Sequence, residues 1–377
     1  MKAARANPWW RRRSWAICRW DYLPRVISFS TGSTYSPAPL RRAGPDGGVR
    51  YRCYRKSHGW CQRVAIAIAH AGDCDLLIAD EPTKGLDAAL RNGVVARLKR
   101  EVDAGRLLLT ITHDVMVARS LGGMVGVMLE GRLVEIGPVD NVLEAPQHDY
   151  TRALIAADPQ HWARRAPSSG GELVLAGHGL EKAFGENLLF SGLDIEIRAG
   201  EVVAITGPSG CGKTTVGNIL LGLTASDRGE VERRARISPL RFQKLYQDPP
   251  AAFAPHQSIR KGLADLVRLH GRQWSDAQAL CARLRLHDNL LGRLPSEISG
   301  GELQRFALVR TLMLDPVFLF ADEATSRLDP VSQKEVIEFL LEIVSEKKLG
   351  ILLVTHDQHL AERVSTRVVR LGVDGMM

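Results

Sequence analysis

The chain has 377 residues, of which 45% are hydrophobic, and a formal net charge of +8. This length suffices for two ordinary domains, and this apolar content excludes a largely disordered chain. The charge does not indicate nucleic-acid binding, because residues 1–60 hold 13 Lys or Arg against two acids, which leaves the remaining chain at a net −3.

The cysteines and the apolar runs exclude other classes of protein. Six scattered cysteines include no Cys-x-x-Cys pair, which argues against a zinc ribbon or a disulfide framework and fits a reducing compartment. No stretch approaches the ~18 consecutive apolar residues of a membrane-spanning helix. The N-terminus lacks the continuous apolar segment of a signal peptide. If the protein serves a membrane, we expect it to do so through partner chains.

Residues 1–56 are left unassigned. Clusters of Gly, Pro, Ser and Arg fill part of this segment, and it shows no sustained period of 2 or 3.6. We expect it to be poorly structured or read in the wrong frame. The alternative is a basic arm that contacts acidic lipid or RNA.

An internal repeat organises the rest of the chain. The landmarks of the first copy are Ser57, Gln62-Arg63, Asp80-Glu81, Asp87 and His113-Asp114, and those of the second are Ser299, Gln304-Arg305, Asp322-Glu323, Asp329 and His356-Asp357. The step from Ser to the first Asp is 23 residues in both copies, and the next step to Asp is 7 in both. We assign the copies to residues 57–160 and 172–377, joined by a linker over residues 161–171.

The strongest motif of the second copy is Gly-Pro-Ser-Gly-Cys-Gly-Lys-Thr over residues 207–214, which matches G-x-x-x-x-G-K-[ST]. The apolar run 202–205 before it predicts a buried parallel strand, and residues 215–223 after it can form a helix. Such a glycine-rich turn points backbone N–H groups at one place, where the helix dipole adds positive potential. The loop is predicted to bind phosphate, with Lys213 reaching the β- and γ-phosphates and Thr214 holding Mg²⁺.

Two acids follow another apolar run. Residues 317–320 predict a buried strand that ends at Asp322 and Glu323. A parallel strand delivers both carboxylates to the edge of the sheet that carries the phosphate loop. We expect Asp322 in the Mg²⁺ shell and Glu323 beside the attacking water. A third apolar run, residues 350–355, ends at His356, which we expect near the γ-phosphate.

Together these motifs resemble the nucleotide-binding subunits of ABC transporters, fully over residues 172–371 and partly over residues 57–160. The resemblance implies an α/β fold of the P-loop NTPase class, with one incomplete copy of the ABC-type nucleotide-binding domain followed by one complete copy. It implies ATP and Mg²⁺ as cofactors. The residues that it assigns to ATP binding are Phe184, Gly207, Pro208, Ser209, Gly210, Cys211, Gly212, Lys213, Thr214 and Thr215. It assigns catalysis to Glu323, His356 and Gln247, Mg²⁺ to Thr214, Asp322 and Gln247, the signature motif to Ser299, Gly300, Gly301 and Glu302, and the D-loop to Asp329.

The signature motif predicts a helix start. Ser299 followed three residues later by Glu302 is a capping-box pattern. That helix start would offer backbone N–H groups to a γ-phosphate held by an opposite domain. Because the second copy retains every motif of the family, we expect two chains to pair through their second copies.

The first copy resembles the same family but lacks a Walker A loop and a Q-loop. Its vestigial landmarks are Ser57, Asp80, Glu81 and His113. His58 stands where glycine is usual, and its Cβ would obstruct close approach to a phosphate. We therefore expect this copy not to bind ATP by itself.

The function implied by the resemblance is that of an importer's ATP-binding subunit, which hydrolyses ATP to drive transport through separate permease subunits. A substrate-binding protein is a further expected partner, and no nucleic acid is. Residues 137–154 resemble an extension found in peptide and nickel importer ATPases, so a peptide or a nickel complex is the expected substrate. The expected location is peripheral, on the cytoplasmic face of the bacterial inner membrane. The alternatives are a degenerate, non-catalytic remnant of such a subunit and a soluble ABC ATPase that does not serve transport.

Overall fold

The computed structural model describes residues 51–54, 75–83, 86, 88–166, 171–325 and 328–372. The chain divides into two compact units, residues 1–155 and 156–377. The predictions for residues 1–50, for Ser57 and His58, and for Asp87 lie outside the described residues.

The first unit contains a three-stranded parallel sheet. Its elements are β1 (Tyr51–Tyr54), β2 (Leu76–Asp80), α1 (Ala88–Asp103), β3 (Leu107–Ile111) and α2 (Val115–Leu121), with the strands in the order β1-β2-β3. Four of the five residues of β2 are buried, as expected for an apolar strand between two parallel neighbours. The helix α1 supplies the long crossover that a parallel connection from β2 to β3 requires.

A hairpin and two short helices complete the described part of this unit. They are β4 (Met124–Leu129), β5 (Arg132–Pro138), α3 (Val139–Glu144) and α4 (Asp149–Ala156). The two-residue turn has φ of 50° at Glu130 and 78° at Gly131. Positive φ at both positions is the type I′ geometry, whose twist matches that of an antiparallel pair.

The second unit is built on a five-stranded parallel sheet in the order β10-β11-β12-β8-β13. The strands of the unit are β6 (Leu173–Phe184), β7 (Asn187–Arg198), β8 (Val202–Thr206), β9 (Arg228–Arg233), β10 (Phe242–Leu245), β11 (Phe318–Asp322), β12 (Gly350–Val354) and β13 (Arg367–Arg370). The strands β6, β7 and β9 form a separate antiparallel sheet. Every residue of β8, β11 and β12 is buried, which explains why these strands are almost continuously apolar.

Helices cover the parallel sheet. They are α5 (Lys213–Leu221), α6 (Ile259–Leu269), α7 (Trp274–Arg283), α8 (Gly300–Leu312), α9 (Pro330–Lys347) and α10 (Gln358–Val364). Alternate residues of β11 belong to two different apolar clusters, because successive side chains of a strand point to opposite faces. Leu319 joins a cluster with α6 to α9, whereas Phe320 joins one with α5, β6 and β7.

The predicted strands at residues 202–205, 317–320 and 350–355 are confirmed as β8, β11 and β12. The predicted helix at residues 215–223 is present, but it begins two residues earlier, at Lys213. The reason is that the last glycine of the loop, and not a polar side chain, forms the N-cap of α5.

Residues before β6 pack on the second unit. A short 3₁₀ helix spans Pro159–His161, and the Arg363 guanidinium of α10 donates to the Gln160 carbonyl at 2.9 Å. The Arg165 N–H donates to the Arg363 carbonyl at 2.8 Å. This part of the chain therefore contacts the helix that follows His356. Within the described residues, no helix is long and apolar enough to span a membrane.

Candidate functional site

The loop between β8 and α5 has a backbone that requires glycine. Gly207 has φ of 151° and Gly212 has φ of 97°. A Cβ on Gly207 would lie 2.4 Å from the Leu371 carbonyl oxygen, and one on Gly212 would lie 3.1 Å from the Leu189 side chain. The loop therefore bends tightly against its neighbours while its middle residues, 208–210, remain exposed.

Lys213 holds a buried positive charge at the mouth of this loop. The residue is 5% exposed, and its ammonium donates to the carbonyl oxygens of Gly207, at 2.9 Å, and Pro208, at 2.7 Å. The sulfur of Cys211 lies 4.0 Å from the same nitrogen. Neutral carbonyls satisfy its hydrogen bonds but do not neutralise its charge, so the ammonium retains an electrostatic preference for an anion.

Thr214 joins the loop to the end of β11. Its hydroxyl donates to Oδ1 of Asp322 at 2.9 Å, and Asp322 is 6% exposed. The predicted meeting of the loop and the first acid at one edge of the sheet is confirmed. A hydroxyl beside one carboxylate is a donor set that suits Mg²⁺, which completes its shell with phosphate oxygens and water.

Glu323 brings together the other two residues predicted for catalysis. Its Oε2 accepts a hydrogen bond from the Gln247 amide nitrogen at 2.6 Å, and its Oε1 lies 2.5 Å from Nε2 of His356. The backbone of Glu323 has φ of 48°, and its N–H donates to the Val354 carbonyl at 3.1 Å. Gln247, placed by sequence both in catalysis and on Mg²⁺, thus contacts the second acid rather than the first.

The turn after β12 fixes the position of His356. The Thr355 hydroxyl oxygen accepts from the Asp357 N–H at 3.1 Å, and the Asp357 carboxylate accepts from the Leu360 N–H at 3.0 Å to begin α10. Burial raises the pKa of the Asp357 carboxyl above its usual range. Nδ1 of His356 is buried without a hydrogen-bond partner among the described residues.

The same local arrangement occurs at the strand ends of the first unit. Glu81 has φ of 51°, and its Oε1 lies 2.7 Å from Nδ1 of His113. Asp114 begins α2 by accepting from the Met116 N–H at 2.9 Å, and its own N–H donates to the Thr112 hydroxyl oxygen at 3.1 Å. The two pairs differ in the ring nitrogen that faces the glutamate, which is Nδ1 in His113 and Nε2 in His356.

Phe184 lies on the surface at the end of β6. The residue is 58% exposed, so its ring is not part of the hydrophobic core. The Lys182 ammonium lies 5.4 Å from the ring centroid and 2.6 Å from Asp227. The hydrogen bond from Lys182, together with one from the Ala183 N–H, lowers the pKa of Asp227. An exposed ring of this kind can stack on a planar ligand, with the Lys182 ammonium near it.

The predicted capping box of the signature motif is confirmed. Ser299 is the N-cap of α8, and the carboxylate of Glu302 accepts from the Ser299 N–H at 3.2 Å. Asp329 caps α9 by accepting from the Ser332 N–H at 2.9 Å. The hydrogen bonds of Ser299 and Asp329 within the described residues are local, so neither side chain is bonded to the glycine-rich loop between β8 and α5.

Lys244 contacts the Asp322 carboxylate at the end of β11, and this contact was not predicted from the sequence. Its ammonium lies 3.3 Å from Oδ2 of Asp322 and donates to Oδ1 of Asn218 at 2.9 Å. The only sequence signal is a lysine in the short, otherwise mostly apolar strand β10. Among the described residues there is no cluster of three or more His, Cys, Asp or Glu side chains that would hold a metal by themselves.

Part of the second unit is similar to a known protein family. Residues 190–326 match the family model described as ABC transporter. The cassette MJ0796, whose dimeric structure is solved, aligns with a TM-score of 0.46 and 23% identity over 52% of this chain and 94% of that chain.

Longer alignments are with ATP-binding proteins of transport systems. It is 33% identical over 370 residues to the glutathione import ATP-binding protein GsiA of Salmonella typhi, covering 84% of this chain and 59% of that protein. It is 34% identical over 372 residues to GsiA of Escherichia coli K12, with the same coverage. It is 32% identical over 354 residues to the peptidoglycan transport ATP-binding protein YejF of Agrobacterium fabrum, covering 86% of this chain and 64% of that protein. The chain thus spans about three fifths of the length of these relatives, and within it residues 190–326 form an ABC transporter domain.

Proposed function

We propose that the second unit binds Mg·ATP and hydrolyses it as the ATP-binding part of an importer. One observation carries this proposal: a phosphate loop with a buried lysine and two acids lie at one edge of a parallel sheet. Thr214 connects the loop to Asp322 directly, and the next residue, Glu323, holds two polar side chains. Ligands of open parallel sheets bind at this edge, beyond the carboxyl ends of the strands.

In this proposal the phosphate loop binds the triphosphate. The exposed backbone N–H groups of the loop and the Lys213 ammonium donate hydrogen bonds to the phosphate oxygens. The dipole of α5 adds positive potential at the same place. Thr214 and Asp322 would hold Mg²⁺, which when bound would neutralise charge on the phosphates. Phe184 stacks on the adenine ring.

Glu323 orients the attacking water. Its two carboxylate oxygens contact Gln247 and His356, so the carboxylate is held at a fixed place beside the phosphate loop. A fixed carboxylate polarises water without the reorganisation that a mobile side chain requires. His356 and Gln247 therefore act first by positioning Glu323.

The first unit is, in this proposal, an incomplete copy of the same domain over residues 57–160, joined by residues 161–171 to a complete copy over residues 172–377. The recurring pair of Glu81 and His113 supports the shared origin. The sequence has one G-x-x-x-x-G-K-[ST] motif, so each chain supplies one phosphate loop. Two chains pair through their second units, and Ser299 of each faces the nucleotide of the other.

The proposed partners are permease subunits and a substrate-binding protein at the cytoplasmic face of the bacterial inner membrane. The names of the relatives refer to glutathione import and to peptidoglycan transport. They favour a peptide-type substrate over a nickel complex. The contact between chain and permease is assigned to the surface near Gln247, which is exposed.

The direct test is ATP turnover by the full chain. Phosphate release should require Mg²⁺, and E323Q should lower turnover by at least about 100-fold because the carboxylate that polarises water is lost. E323Q should still bind nucleotide, since the phosphate loop is unchanged. The control E338Q removes an exposed carboxylate of α9 and should turn over at the wild-type rate. Wild-type protein without Mg-dependent turnover, or E323Q as active as wild type, would refute the proposal.

A further inference from the structure

Lys244 is a largely buried cation that contacts the Asp322 carboxylate at the end of β11. Its side chain is 10% exposed, and the Asp322 side chain with which it pairs is 8% exposed. The ammonium also donates to Asn218, which extends from α5. The lysine therefore ties β10 to the two elements that carry Thr214 and Asp322.

Two aromatic rings lie close to this ammonium. It lies 5.0 Å from the centroid of the Phe320 ring and 5.2 Å from that of Tyr246, distances at which a cation is attracted to a ring face. Helix α5 has glycine opposite Phe320, where a Cβ on Gly217 would lie 2.2 Å from the ring. The small residue Gly217 thus leaves room for the Phe320 ring, which lies beside the Lys244 ammonium.

The carboxylate of Asp322 is divided between two partners. Oδ1 accepts from the Thr214 hydroxyl at 2.9 Å, and Oδ2 faces the Lys244 ammonium at 3.3 Å. These two contacts fix the carboxylate plane before any ligand enters. A buried carboxylate that lost its cation would be left with an uncompensated charge, which is costly in a low-dielectric interior.

We propose that Lys244 is a positioning residue that serves as an internal counter-cation for Asp322 and thereby sets the Mg²⁺ requirement of the site. This inference rests on the proposed Mg·ATP site. The ammonium stabilises the carboxylate in the metal-free state, so Asp322 keeps its place when Mg²⁺ leaves. It also repels a divalent cation held by the same carboxylate, because like charges a few ångströms apart interact strongly in a partly desolvated site. The wild-type site therefore binds Mg²⁺ less tightly than a site with a neutral residue at position 244.

The test compares the full-length wild type with K244M, which keeps the unbranched shape and most of the length of the side chain and removes the charge. Binding of a fluorescent ATP analogue is measured at a fixed analogue concentration while Mg²⁺ is varied. The Mg²⁺ concentration for half-maximal binding should fall about tenfold in K244M, as expected when repulsion between charges is removed. K244R, which keeps the charge, should stay near wild type. The control K347M removes a lysine that pairs with Asp315 on the surface, 3.1 Å away, and should also stay near wild type.

Thermal unfolding gives a second readout that does not depend on turnover. Without Mg²⁺, K244M should melt below wild type, and added Mg²⁺ should raise its melting temperature more than that of wild type. A Mg²⁺ midpoint of K244M within about twofold of wild type would overturn the inference, as would a K244R midpoint shifted as far as that of K244M. If K244M does not fold, K244Q, which retains a donor without the charge, takes its place under the same criteria. Wild-type protein that binds no nucleotide at any Mg²⁺ concentration would overturn both this inference and the proposed function, whereas an unshifted variant overturns this inference alone.

Discussion

Glu323 adopts a backbone conformation that is uncommon for a residue with a side chain. Its φ is 48°, and that of Glu81 in the first unit is 51°. Each glutamate follows a buried parallel strand and contacts a histidine from the end of the neighbouring strand. An unfavourable conformation that recurs with its contacts is maintained by its surroundings, and such positions cluster at functional sites.

Cys211 gives a chemical probe of the phosphate loop. Its sulfur lies near the Lys213 ammonium in a half-buried position. By contrast, burial and the nearby Asp288 carboxylate raise the pKa of the Cys281 thiol to about 11, so this buried thiol reacts slowly at neutral pH. We expect N-ethylmaleimide to modify Cys211 before Cys281 and to abolish nucleotide binding by its bulk, with Mg·ATP protecting the thiol.

Peptide mass spectrometry beside a nucleotide-binding assay checks this expectation. The control C281A should remain as sensitive to the reagent as wild type. Full nucleotide binding after stoichiometric modification of Cys211 would show that the loop does not enclose the ligand.

Sequence motifs identify some site residues and not others. Lys213, Asp322 and Glu323 are predictable because each has a fixed place in a run of strand, loop and helix. Lys244 has no such spacing signature, since its partners come from α5 and β11 and meet it only in the folded sheet. The contacts of Gln247 and His356 with one carboxylate are likewise set by the order of strands.

At the scale of elements, the packing of α5 against β11 supports the site. Gly217 of α5 faces the Phe320 ring, and an added methyl group would lie 2.2 Å from it. We expect G217A to destabilise the second unit by about 1–3 kcal/mol because the core is overpacked. The control G262A places the same methyl group on α6, where nothing lies within 4 Å, and should be neutral or stabilising by up to ~1 kcal/mol.

Denaturant unfolding of the two full-length variants measures this difference. The transition of the second unit should shift to lower denaturant in G217A alone. A midpoint for G217A at or above that of G262A would mean that Phe320 can move away without cost.

The elements differ in how far sequence predicts them. The strands β8, β11 and β12 are predictable because strands buried on both faces are apolar without interruption. The antiparallel sheet of β6, β7 and β9 is not predicted, because register shifts between its strands break the alternation of apolar and polar residues. The start of α5 is misplaced because its N-cap is a glycine with φ of 97°.

At the scale of the whole molecule, one phosphate loop per chain makes pairing between chains the proposed route to a complete site. Pairing that depends on bound ATP should be clearest in E323Q, which binds nucleotide and does not consume it. We expect E323Q to sediment as a dimer with Mg·ATP, in proportions that rise with protein concentration, and as a monomer with ADP. A monomer under all conditions, with wild-type turnover per chain independent of dilution, would contradict pairing.

Isothermal titration calorimetry of the full chain with Mg·ATP addresses the phosphate loop most directly. The expected result is saturable binding of one nucleotide per chain, lost in K213M because the cation at the loop mouth is removed. Uptake of two nucleotides per chain would contradict a single complete site. No uptake by folded wild-type protein, or unchanged affinity in K213M, would contradict the assignment of the phosphate loop itself.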